Sequence, residues 1–230
     1  MRRSALISLT VNTLLMVTMA GTVQAKPRPA HRQTATSAWI PAHLGSDSTS
    51  LSFTMNKWLK LRGTQKATVE GTFRDFTVAL NKPVAQLKNL TVLKGLKGRV
   101  TVDLASLDTG NPARDLNVTN TYFQVAKHPK ATIHLDRIRT IATPENRLAR
   151  EPEADITADG AIELHGVRRP LRDTQWHVSR RPTGILVTSL APIPLASTDF
   201  SLPVTALLKV CKHLGLDDAA AVSISLLLQP

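Results

Sequence analysis

The chain predicts an all-β domain, a sandwich or a closed barrel, on three observations. Apolar and polar residues alternate with period two in segment after segment, turn residues separate these segments, and only two stretches carry helical spacing. Successive side chains of a strand point to opposite faces, so such alternation gives each strand one dry face. Leu51, Phe53 and Met55 share the apolar face of the first segment, opposite Ser50, Ser52 and Thr54. Val69, Gly71 and Phe73 alternate with Thr68, Glu70 and Thr72, and Val100, Val102 and Leu104 with Arg99, Thr101 and Asp103. Ile133 and Leu135 oppose Thr132, His134 and Asp136, while Ile162, Leu164 and Gly166 oppose Ala161, Glu163 and His165. Trp176 with Val178, Ile185 with Val187, and the run Val222, Ile224, Leu226 and Leu228 complete seven or eight strands. Gly71 and Gly166 fall in the apolar phase, where a missing side chain suits a bend, a bulge or room for a ligand.

Two segments break this rhythm. Within 111–127, Asp115 is the expected helix N-cap, and Val118, Tyr122 and Val125 follow at spacings of four and three, with Pro129 as the stop before a strand near Ala131. The neighbouring Arg114 and Asp115 read as a cap with a salt-bridging partner, not as catalytic groups. Within 203–218, Val204, Leu207, Leu208, Cys211 and Leu214 fall on one helical face, with Lys209, Lys212 and His213 elsewhere and Gly215 as terminator. This helix packs across a barrel mouth, or touches a membrane with its lysines on lipid headgroups. Cys211 is expected as a buried thiol, with no base near it in sequence.

The N-terminus sets the compartment. Arg2 and Arg3 precede a mostly apolar stretch from Ala5 to Ala20, and Val23, Gln24 and Ala25 form a small-x-Ala cleavage site, the layout of a secretory signal peptide over 1–25. Ser8, Thr10, Asn12 and Thr13 interrupt the apolar run, which argues against a permanent span. Residues 26–37, rich in Pro, Lys, Arg, Thr and Ala, read as a flexible basic leader, and 38–230 as one domain. One cysteine excludes an intramolecular disulfide. Cleavage after Ala25 would lower the formal charge from +12 by two arginines. A chain this basic tolerates polyanions, yet aromatic residues are only 4% and no nucleic-acid-binding motif accompanies the charge, so no nucleic acid is expected. After export the remaining polyanion is an anionic membrane surface, met transiently, or the charge is simply a solvated face.

Three blocks carry a family resemblance. The first holds Ser106-Leu107-Asp108-Thr109-Gly110, Arg114-Asp115, Tyr122-Phe123 and His128-Pro129. In the second, Asp159 to Pro170, the run Gly160-Ala161-Ile162-Glu163-Leu164-His165-Gly166-Val167 leads into Arg168-Arg169-Pro170, and the third is Ser197-Thr198-Asp199-Phe200-Ser201-Leu202. Together they resemble the YceI-like family, secreted bacterial proteins folded as an extended, lipocalin-like antiparallel β-barrel around an apolar cavity. The resemblance runs from about Trp39 to the C-terminus and selects the barrel, of about eight strands with one or two short helices covering its ends. Asn117 stands where many members carry His, and Ser201 where the family has Gly.

The resemblance implies a binding protein, not an enzyme, that carries or sequesters a long-chain lipid such as a polyisoprenoid or fatty-acyl amphiphile. Its ligand would lie among Phe53, Val69, Phe73, Val102, Leu104, Tyr122, Phe123, Ile133, Leu135, Ile162, Leu164, Trp176, Phe200 and Ile224. Asn117, His165, Arg168, Arg169 and His177 are the polar candidates for a headgroup at the mouth. A tail of about twenty carbons gains up to ~16 kcal/mol at ~0.8 kcal/mol per methylene, before ordering and association costs, so apolarity alone suffices for affinity. No cofactor or metal is expected: the seven histidines form no HxxxH, HExxH or CxxH arrangement, and no GxSxG, SxxK or phosphate loop occurs. The alternative is an envelope interaction or stress-protective module whose barrel is filled by its own side chains. A closed sheet offers no edge for strand pairing, and the sequence does not specify an oligomeric state.

Overall fold

The computed structural model describes residues 39–61, 63–88, 90–141 and 153–230. The signal peptide expected over 1–25 and the leader over 26–37 lie outside them. Among the described residues, strands are the dominant element, and each of the first three staves of the sheet is built from two pieces. The first stave is β1 (Ile40–Leu44) and β2 (Ser50–Leu61), interrupted by a 3-10 turn at Ser46–Ser48. The second is β3 (Gly63–Phe73) and β4 (Phe76–Leu80), bent at 74–75. The third is β5 (Gly98–Asp103) and β6 (Leu107–Asp108), broken by the 3-10 turn Leu104–Ser106.

These two bends are in register. The Arg74 N–H donates to the Ser106 carbonyl, the Asp75 N–H to Ser106 Oγ and the Asp103 N–H to the Asp75 carbonyl, at 2.9 to 3.2 Å. Asp103 caps its own turn through the Ala105 N–H. Leu104 therefore lies in a helical turn and not in a strand as its alternation suggested, though it is still buried.

Four longer staves follow: β7 (Lys130–Ile141), β8 (Glu153–Leu164), β9 (Val167–Arg181), and the pair β10 (Gly184–Ser189) and β11 (Ile193–Ala196). After a helical crossing and the short β12 (Gly215–Leu216), which pairs with β2, the last stave is β13 (Ala219–Gln229). Every stave pairs antiparallel with its neighbour in sequence, and β13 pairs with β10 and β11 on one side and with β1 and β2 on the other. The sheet thus closes as an eight-stave, up-and-down antiparallel barrel. Within it β3 is paired with β2 along its length but with β6 only at Thr72 and Phe73, so its outer edge from Gly63 to Gly71 carries no strand partner among the described residues.

Closure is helped where backbones come unusually near. The β7–β8 and β8–β9 ladders carry register shifts around Leu135–Ile138 and Ala158–Gly160. There a Cβ on Gly160 would stand 1.9 Å from the His134 carbonyl oxygen, so only glycine fits. Gly71 serves packing instead: a Cβ there would meet Phe53 Cε1 at 2.7 Å, so the space it leaves holds the Phe53 ring and not a ligand. Gly166 is not inward at all. It sits exposed in the β8–β9 turn with φ +77°.

Both helical segments start or stop away from the expected positions. α1 (Pro112–Asn117) is capped by Asn111, whose Oδ1 accepts from the Arg114 N–H, and it passes into one π-helical turn at Val118–Tyr122. Asp115 is thus inside the helix, not at its cap, and the helix ends well before Pro129, at Gln124 with φ 51°. α2 (Val204–Cys211) ends at Lys212 in the left-handed region, three residues before Gly215, which instead joins β12 beside Trp58. Leu214 consequently lies off the helix and is half exposed.

The opposite end of the barrel is plugged by a segment that neither strand nor α-helical periodicity singles out, although Val84, Leu87, Leu90, Leu93 and Leu96 recur at every third position, the period of a 3-10 helix. Two 3-10 turns, Val84–Lys88 and Leu90–Leu93, drive Leu87, Leu90, Leu93 and Leu96 into the interior, each at most 6% exposed. Asn81 pins this excursion, with its backbone N–H and side-chain amide donating to the carbonyls of Lys97 and Gly95, and its Oδ1 accepting from the Lys97 N–H.

Candidate functional site

The inward phase of the staves is mostly apolar, and the barrel holds two cavities end to end. On β13 the phase runs Ala220, Val222, Ile224, Leu226 and Leu228; on β8 it runs Leu164, Ile162, Gly160 and Ile156; on β5, Val102, Val100 and Gly98. The upper cavity, about 130 Å³, is bounded by Phe53, Val69, Phe73, Val102, Leu104, Tyr122, Phe123, Ile133, Ile162, Leu164 and Phe200 among others. The lower, about 90 Å³, is lined by Leu135, Trp176 and Ile224 with Val78, Leu80, Leu87, Leu93, Leu96 and Ile156. Ile133 borders both. The interior candidates from the sequence are therefore all placed along this column.

A row of aromatic rings forms one wall of the upper cavity. Phe53, Phe73 and Phe123 stand with centroids 6.0 and 6.1 Å apart, and Tyr122 lies 5.2 Å from Phe123. The tilted geometry suits edge-to-face attraction. Tyr122 is buried, and its hydroxyl bonds Ser197 Oγ at 2.6 Å, which in turn donates to the Asp218 carbonyl. Burial pushes the Tyr122 phenol above its ordinary value, so the hydroxyl stays neutral and tethers the α1 end to the start of β13. Trp176, at the lower cavity, satisfies its indole N–H on Thr174 Oγ1.

The polar candidates do not gather at the mouth. Arg168 binds Glu163 at 2.6 Å and reaches Asp136, and the pairing is on the exposed face of β8 and β9. Arg169 Nε donates to the Asp199 carbonyl. His177 pairs with Asp155 and Glu153. His165 takes the left-handed first position of the β8–β9 turn and stacks on His128 with centroids 4.2 Å apart. Burial, then His128, hold its imidazole below the ordinary histidine value, while a hydrogen bond to the Phe200 backbone works the other way. Asn117 closes α1 half-buried, and none of the five lines either cavity. At the far end of the upper cavity stand Lys57, Thr109, Arg114, Cys211 and His213 instead. Cys211 is half-buried there, not fully enclosed.

The barrel, its two short helices and its apolar column agree with the sequence profile of the YceI-like domain, which matches residues 43–227. The chain belongs to the YceI-like domain family. Solved structures place its fold with two others. A polyisoprenoid binding domain from Saccharophagus degradans, implicated in plant cell wall breakdown, superposes with a TM-score of 0.61 at 18% identity, over 80% of this chain and 95% of that one. Burkholderia cenocepacia BcnA gives 0.52 at 16% identity, over 76% and 94%. No curated protein sequence matches the chain.

Within this YceI-like barrel the Arg114–Asp115 pair has a joint task. Both side chains clamp Thr109: Asp115 Oδ1 accepts from the Thr109 N–H and hydroxyl, while Arg114 Nε and Nη2 donate to Thr109 Oγ1 and its carbonyl, each at 2.7 Å. The clamp fixes α1 against β6 and holds the guanidinium at the cavity edge. One signal in the sequence pointed there. Lys57 continues the inward phase of Leu51, Phe53 and Met55, so a charge interrupts an apolar face. Arg114 and His213 had no such signal, because helices and turns bring them in from remote parts of the chain.

Proposed function

We propose that the protein is an exported carrier that holds a long-chain apolar lipid, a polyisoprenoid or fatty-acyl amphiphile, inside the barrel. The observation that carries this reading is the apolar column with cavity space on both sides of Ile133. Such a site binds by shape and desolvation and needs no catalytic group. The likeness to a polyisoprenoid binding domain supports the lipid class, and the signal-like N-terminal sequence supports a periplasmic or secreted location. Loading from an anionic membrane is supported by the mouth, where Leu116, Val210 and Leu214 are 61%, 49% and 50% exposed and Lys209 and Lys212 flank them.

A second reading keeps the same barrel but fills it. Eight staves is the size at which side chains alone can occupy the interior, and the leucine plug already closes one end. Titration with straight-chain and prenyl alcohols of increasing length separates the two. A carrier gains affinity by up to about fourfold per added methylene until the column is full. Binding no better than to a basic control protein of similar charge, at every chain length, would leave only the filled module.

A further inference from the structure

The upper cavity ends in positive charge. Along β2, Leu51 faces the Ile224 layer near the junction of the cavities, and Lys57 lies six residues on, about 20 Å along the strand. Arg114 from α1 and His213 from the turn after α2 line the same end. Three cation-forming groups from three separate elements thus converge where the apolar wall stops.

Among the described residues no carboxylate bonds Lys57, Arg114 or His213 directly: Asp115 is spent on Thr109 and reaches Arg114 through Thr109 Oγ1, and Asp217 is spent on Asn56 and Lys66. The clamp on Thr109 uses two of the guanidinium N–H donors and leaves the rest without a partner among the described residues. Burial, then Arg114, lower the Lys57 ammonium; burial, then Lys57 and Arg114, lower His213. Like charges held together beside an apolar cavity are costly unless an anion joins them.

We propose that Lys57, Arg114 and His213 form an anion-binding mouth that takes the phosphate or carboxylate headgroup of an amphiphile whose tail lies in the column. The inference rests on the carrier reading and adds its headgroup chemistry. Arg114 offers a fixed planar fork, Lys57 a movable ammonium, and His213 either a neutral donor or a third cation.

The test uses the mature full-length chain and four probes: geranylgeranyl monophosphate, geranylgeraniol, palmitate and hexadecanol. The wild type is expected to bind at least one anionic probe about tenfold more tightly than its alcohol, and Lys57→Met to lose most of that preference while keeping alcohol affinity. Preference within the prenyl pair identifies a phosphate site, and preference within the C16 pair a carboxylate site. Equal binding of each anion and its alcohol by the wild type overturns the anionic mouth but leaves the carrier. Failure of all four to bind overturns both. The wild-type comparison decides even if Lys57→Met misfolds, and protection of Cys211 from alkylation, since it lines the same cavity, reports independently that the tail is in place.

Discussion

Ile133 is the residue on which the two cavities meet, so on the carrier reading its side chain governs how long a tail the barrel takes. Ile133→Trp would fill the junction at an overpacking cost of about 1–3 kcal/mol. The expected outcome is a folded variant that keeps its affinity for tails of about ten carbons and loses at least tenfold for twenty, read by the same alcohol titration; unchanged affinity for both would separate the cavities functionally. At this scale the sequence was most legible where a residue's phase alone decides its side. Phe53, Val102 and Ile224 face the interior because a strand gives them no choice. Gly71 was ambiguous, since only the partner strand reveals that Phe53 occupies its space.

Elements were harder to read than residues wherever regular alternation stopped. The 3-10 plug around Leu87 and Leu93 escapes the period-two and 3.6-residue patterns because its apolar residues, Val84, Leu87, Leu90, Leu93 and Leu96, repeat every third position, the period of tight turns fastened here by Asn81. Leu87→Ala should cost about 2–5 kcal/mol, visible as a clear drop in Tm; a change within error would make the plug an ornament of the fold. The helix ends were misplaced for a similar reason. Asn111 outcompetes Asp115 as cap because Asp115 is already engaged by Thr109, and Lys212 ends α2 because the chain must turn there to pair Gly215 with Trp58.

At the scale of the whole molecule, closure brings distant charges together, and this was the least legible part. Asp159, buried in β8, collects Arg137 at 2.9 Å and Arg172 at 3.6 Å on Oδ2, and Arg139 at 3.8 Å together with the Asp173 N–H on Oδ1. The Arg137 hydrogen bond holds its carboxyl below the ordinary aspartate value. A carboxyl depressed in the native state adds stability above its unfolded value near ~3.9, and that contribution is lost as pH falls through the native value. The Asp159 contribution should therefore be constant from neutral pH down to about 5 and decline below about 4, beneath the separate loss that the depressed His165 and His213 imidazoles bring as pH falls below about 6.5. Asp159→Asn should lower the neutral Tm while flattening the decline below about 4. An unchanged acid limb in Asp159→Asn would assign that limb to other carboxylates. The cationic mouth belongs to the same class of feature: Lys57, Arg114 and His213 are far apart in sequence and meet only because the first stave, α1 and α2 share one end of the barrel.

Native mass spectrometry of the protein from the exported fraction, with organic extraction of whatever it carries, reads whether the apolar column is a lipid site. A lipid-filled column gives a stoichiometric long-chain adduct, absent from an Ile162→Glu variant that still folds. A protein that emerges empty, and stays empty when prenyl and acyl lipids are added, would contradict it.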